Sequence, residues 1–70
     1  MGNQSRDKVR KLLDELPEEQ KEVVLLRHYY DFSFKEIAEL TGVSINTALG
    51  RMRYSLINLR KIIEEKQIQL

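Results

Sequence analysis

A chain of 70 residues, 41% hydrophobic and 33% charged, has room for one small domain with a modest core, because small domains bury a smaller share of their surface. It contains no Cys and one His, which excludes disulfide and zinc stapling and leaves helix packing to hold the fold. The formal net charge of +1 is too small to announce a nucleic-acid binder by itself, so where the charges lie matters more than their sum.

The opening MGNQ reads as an initiator methionine with a frayed terminus, or as a cloning scar. Myristoylation of Gly2 is not expected, since Arg6 stands where that motif wants Ser or Thr. Residues 5–16 predict a first helix, with Val9, Leu12, Leu13 and Leu16 recurring at i, i+3, i+4 and i+7 as a packing stripe. Asp7 falls early in it, where a negative charge suits the helix dipole. Leu16-Pro17 breaks the chain, because a residue before proline is pushed out of the helical region.

Pro17 is expected as the first residue of a second helix over about 17–30, with Glu18 and Glu19 in its first turn. Val23, Val24, Leu26 and Tyr29 or Tyr30 should face inward. Arg27 and His28 fall near its C-terminal end, where positive charge is favoured. Phe32 or Phe34 should plug the space between the second and third helices.

Ser33-Phe34-Lys35-Glu36 fits a capping box at the start of a third helix over about 33–41. Ile37, Ala38 and Leu40 supply its apolar stripe. Gly42 follows at once, and glycine tolerates the left-handed conformation that ends a helix. Ser44 is the next N-cap candidate, opening a last helix over about 44–66. Two helices joined by a turn of about three residues containing Gly form the helix-turn-helix pattern, whose usual work is to lay its second helix in the DNA major groove.

Two neighbouring stripes run along the last helix. One is Ala48, Met52, Ser55, Leu59 and Ile62; the other is Ile45, Leu49, Leu56 and Ile63. Opposite lie Asn46, Thr47, Gly50, Arg51, Arg53, Tyr54, Asn58 and Lys61. Their chemistry suits DNA: Asn reads adenine, Arg reads guanine or clamps phosphate, and hydroxyls bond phosphate. Gly50 costs about 1 kcal/mol relative to Ala in mid-helix, which calls for close approach of DNA to the backbone or for packing against another helix. Residues 1–42 hold seven Lys/Arg against nine Asp/Glu, and residues 43–70 five against two. From Val43 to Ile63 there are four positive charges and no negative one, the distribution a phosphate-facing element needs. A solvated basic face is the plainer explanation of the same charges.

An enzyme is not expected. One His, no Cys and no glycine-rich phosphate loop leave no place where a nucleophile, a base and an oxyanion donor come together. Ser33 and Ser44 are better explained as caps than as nucleophiles. No cofactor or metal is called for. No stretch approaches the roughly 18 apolar residues of a membrane span, no secretory signal opens the chain, and the lack of Cys fits a reducing compartment.

Taken together, the motifs resemble a known family. Leu16-Pro17-Glu18-Glu19-Gln20, Glu22-Val23 and Leu25-Leu26-Arg27 look like the opening of the C-terminal conserved region, region 4, of bacterial RNA polymerase sigma factors. Phe34 to Ser44 (FKEIAELTGVS) is similar to that region's third helix and turn. Asn46-Thr47-Ala48-Leu49-Gly50-Arg51-Met52 resembles the start of its recognition helix, and Leu59-Arg60 its close. The likeness covers about residues 9–63 and is strongest to the extracytoplasmic-function group.

It implies an all-α, four-helix domain that recognises the −35 element of promoters as part of RNA polymerase holoenzyme. It also implies a bacterial, cytoplasmic and nucleoid-associated setting, contact with the flap of the polymerase β subunit, and sequestration by an anti-sigma factor. The DNA-contacting set carried over is Lys35, Ser44, Asn46, Thr47, Gly50, Arg51, Arg53 and Tyr54, with Thr47 and Arg51 matching most directly. The chain departs from the family at Leu49, Tyr54 and Leu56, positions that are commonly basic. Fewer cations there weaken phosphate binding, Arg53 restores one, and the Leu49/Leu56 stripe offers an apolar surface to a protein. Two alternatives therefore stand beside promoter recognition: a module that binds polymerase or an anti-sigma factor without reading DNA, and a helix-turn-helix regulator outside the sigma family. A whole sigma factor also needs an N-terminal region, so the 70 residues are expected to be a domain of a longer protein.

Overall fold

The computed structural model describes the backbone of residues 4–67 and the side chains of residues 8–67; of the MGNQ opening read as a frayed terminus, residues 1–3 lie outside these, as does the Asp7 side chain, while Gln4 opens the first helix instead. Four helices follow in order: α1 (Gln4–Asp14), α2 (Glu18–His28), α3 (Phe34–Thr41) and α4 (Ile45–Lys66). Among the described residues there is no strand, and no helix is long and apolar enough to cross a membrane. The all-α, four-helix expectation holds.

α4 is the axis. It packs against each of the other three helices, and α2 also meets α3. The core forms where these stripes converge: Leu13, Leu16, Val23, Val24, Ile37, Ala38, Ala48 and Met52 cluster together, with Val9, Phe32, Phe34, Val43, Leu59 and Ile62 packed around them. Non-directional burial of these apolar side chains is the main force holding so short a chain. Both phenylalanines flank the α2–α3 connection, as their positions predict.

Several expected boundaries shift, each for a local reason. α1 ends at Asp14 rather than 16, and Leu16 is reached through tight turn bonds, Glu15 N–H to Leu12 O and Leu16 N–H to Leu13 O. This keeps Leu16 buried while freeing the residue before Pro17 from the helix. Pro17 is the N-cap of α2, not its first helical residue: its ψ of 147° is extended, and its carbonyl accepts from Gln20 and Lys21. α2 ends at His28, so Tyr29 and Tyr30 lie past its last turn and are exposed instead of inward. The chain reverses at Asp31, whose φ of 57° is left-handed, a conformation Asp tolerates better than most residues. Arg27 then secures the connector, donating from Nη1 to the Phe32 carbonyl at 3.0 Å and lying 5.2 Å from the centre of the Phe34 ring. In α3, Leu40 is exposed, and the buried stripe is Ile37 and Ala38 alone.

Surface ion pairs Lys21–Asp14 and Lys66–Glu15 link the end of α1 to α2, and the residue after it to α4. The Asp14 carboxylate accepts from Lys21 and holds its ammonium above the ordinary lysine range. Such exposed pairs contribute little individually.

Candidate nucleic-acid interface

The α3–turn–α4 unit is built by local bonds that the sequence dictates. Ser33 Oγ accepts the Glu36 N–H at 3.1 Å, and Glu36 Oε1 accepts the Ser33 N–H at 3.0 Å. The capping box is complete. Accepting that amide holds the Glu36 carboxyl below its ordinary range. Gly42 closes α3 at φ 70°, and the N–H groups of Gly42 and Val43 both reach the Ala38 carbonyl. Val43 turns into the core, completing the hydrophobic contact that accompanies such helix ends. Ser44 caps α4: its Oγ accepts the Thr47 N–H at 3.1 Å and donates to Thr47 Oγ1 at 2.9 Å. Three residues, 42–44, thus redirect the chain from one helix to the next.

These bonds fix what the first turns of α4 present. Ala48, Met52 and Ser55 are buried, which rotates Asn46, Thr47, Arg53 and Tyr54 to the exposed side. Ser44 Oγ is committed to capping, whereas Thr47 accepts from Ser44 and keeps its own hydroxyl proton to donate outward. α2 and α3 carry acidic residues in their first turns, and α4 carries none. No acidic side chain of its own first turn therefore offsets the positive dipole end of α4. Arg53 is exposed and forms no ion pair among the described residues.

Other candidates sit differently. Lys35 is exposed in the first turn of α3, with no bond to the α4 group. Gly50 has nothing within 4 Å of where a Cβ would stand. Packing against another helix is thereby removed as its explanation. Arg51 is not simply outward. It is half-buried against α2, its Nη2 3.9 Å from Glu19 Oε2. Asn58 is also turned inward, donating from Nδ2 to Gln20 Oε1 at 2.7 Å. The contacts of Glu19 and Gln20 with α4 are not legible in the sequence, because they span more than thirty residues (Asn58 and Gln20 are 38 apart) and no local period carries such information.

The second apolar stripe of α4 is only partly used. Ile45, Leu49 and Leu56 are exposed along with Ile57, while Ile63 is half-buried. Leu56, Leu59 and Ile63 line a shallow apolar groove of about 190 Å³ with Val9, Leu12, Val24 and His28. Among the described residues, no group of three or more His, Cys, Asp or Glu could hold a metal ion.

Residues 6–49 match the family model described as sigma-70, region 4. Over 50 residues, 71% of this chain, the sequence is 42% identical to RNA polymerase sigma factor SigV of Bacillus subtilis (strain 168). The matched segment spans 30% of that relative's length. The family match ends within the second turn of α4, ahead of Gly50, Arg51, Arg53 and Tyr54.

Proposed function

We propose, given that this chain belongs to the sigma-70 region 4 family and is thus a sigma-factor domain of transcription initiation, that it recognises the promoter −35 element by laying the start of α4 in the DNA major groove. The observation that carries this reading is the exposed, acid-free opening of α4, aimed by a complete cap-and-turn. Asn46 and Arg53 are the base-reading candidates by the donor–acceptor logic of the major groove. Ser44 (through its backbone), Thr47, Tyr54 and Lys35 are assigned to phosphate positioning, Gly50 to close approach, and Arg51 to the flank. RNA polymerase and promoter DNA are the partners the family supplies. Working tethered within a longer factor, a domain with few contacts gains effective concentration that its own affinity lacks.

The apolar groove along Leu56, Leu59 and Ile63 supports a second reading, a protein-docking role on the polymerase β flap or an anti-sigma factor. Salt separates the two, because phosphate contacts weaken steeply with ionic strength and apolar contacts do not. The direct test is selection from a library of randomised duplexes by the purified chain. Enrichment of one short motif, lost in Asn46→Ala and Arg53→Ala variants, is the expected result. An unenriched pool, or a motif indifferent to both substitutions, would remove base reading by α4.

A further inference from the structure

Between the N-terminal turn of α2 and the middle of α4 runs a polar seam in an otherwise apolar core. Arg51, Ser55 and Asn58 lie at i, i+4 and i+7 on α4, one helical face. Ser55 is fully buried, its Oγ 2.5 Å from the Arg51 carbonyl and 3.2 Å from the Gln20 carbonyl. Asn58 binds the Gln20 side chain. With a small residue and two side-chain bonds fixing the rotation of α4 here, the Arg51 guanidinium emerges on the α2 side, beside Glu19. Its side chain is 26% exposed, against 72% for Glu19. Arg53, two residues on and so about 200° further round the helix, has no such partner.

We propose that Glu19 is a positioning residue: it holds Arg51 against α2 and so sets how many cations α4 offers to a nucleic-acid phosphate. The inference rests on the DNA-binding reading above and concerns a residue on a different helix from the recognition surface. An exposed ion pair at 3.9 Å is weak, so Glu19 biases Arg51 without locking it. A phosphate recruits Arg51 only by displacing the carboxylate. Neutralising Glu19 releases the cation.

The test measures binding of a fluorescent mixed-sequence duplex across a salt series for the full chain, Glu19→Gln, Arg51→Met and the double variant. Glu19→Gln is expected to tighten binding about two- to five-fold at low salt, the range of an exposed pair. It should also steepen the slope of log K against log salt by about 0.9, one added phosphate contact. Both gains must vanish in the Arg51→Met background. If they persist there, the effect belongs to overall charge and the proposal fails; it fails equally if Glu19→Gln leaves the slope unchanged. Without DNA, the side-chain Nε–H signal of Arg51 should become more mobile in Glu19→Gln, and an unchanged signal overturns the restraint itself. No binding by any chain, with a released Arg51 signal, would instead reject the DNA reading and with it the consequence assigned to Glu19. Thermal melts of each variant guard against Arg51→Met acting through unfolding, and Arg51→Gln, which removes the charge but keeps a polar side chain, supplies an independent background if it does.

Discussion

Two apolar stripes run side by side along α4, and they meet different fates. Ser55, the least apolar member of the first, has no exposed surface, whereas Leu56, its neighbour in sequence, remains 53% exposed. Burial is decided by where α2 and α3 lie, not by the hydrophobicity of each residue. Ser55 sits against the start of α2, where its hydroxyl donates to the Gln20 carbonyl at 3.2 Å. Leu49 and Leu56 lie one residue round the helix and stay exposed, Leu56 at the edge of the groove it lines with Val24 and His28 of α2. The inward face is thus determined by packing, and the outward face is free to carry chemistry that packing does not dictate.

The largest expected effect breaks the inward face. Met52→Ala should cost about 2–5 kcal/mol, read from urea unfolding, and in so small a domain that is a large share of the total. An unchanged midpoint would mean that α4 does not pack as described. Ser44→Ala acts at the junction of the two faces. Losing its cap should cost about 1 kcal/mol and loosen the first turn of α4, visible as faster amide exchange at Thr47.

Gly50→Ala separates the faces by sign. No atom obstructs the added methyl group, so stability should rise by about 1 kcal/mol, while DNA binding falls if the duplex approaches the backbone there. A destabilised variant would reveal a contact now unaccounted for. On the outward face alone, Arg53→Ala should leave stability within about 0.5 kcal/mol, weaken binding of the preferred duplex by about 1–3 kcal/mol and relax its sequence preference.

The smallest effect concerns acid. Because the folded-state carboxyl of Glu36 titrates below its ordinary range, its contribution is complete above that range and disappears as pH falls through the lowered value. Glu36→Gln should therefore reduce the loss of stability between neutral and strongly acidic pH, measured by paired melts.

Legibility in the sequence follows the same division. The Ser33–Glu36 box, the Gly42 stop and the Ser44 cap were readable because each is a bond between residues close in the chain. The stripe from Ala48 to Ile62 was readable because period betrays a buried face. What periodicity could not decide was which of two adjacent stripes wins, or that Tyr29, Tyr30 and Leu40 would be left outside; those depend on helix placement. Arg51 shows the limit within the candidate site. Its spacing put it among the outward residues, yet Glu19, 32 positions earlier in the chain, draws it to the flank.

The outward opening of α4 is the surface proposed to meet DNA. Amide shifts of the isotope-labelled chain, titrated with a mixed-sequence duplex at low and then higher salt, test this directly. Perturbations centred on Asn46 to Tyr54 that fade as salt rises are the predicted result. Shifts centred instead on Leu12, Val24 and Leu59 in the apolar groove, or a spectrum the duplex leaves untouched, would contradict it.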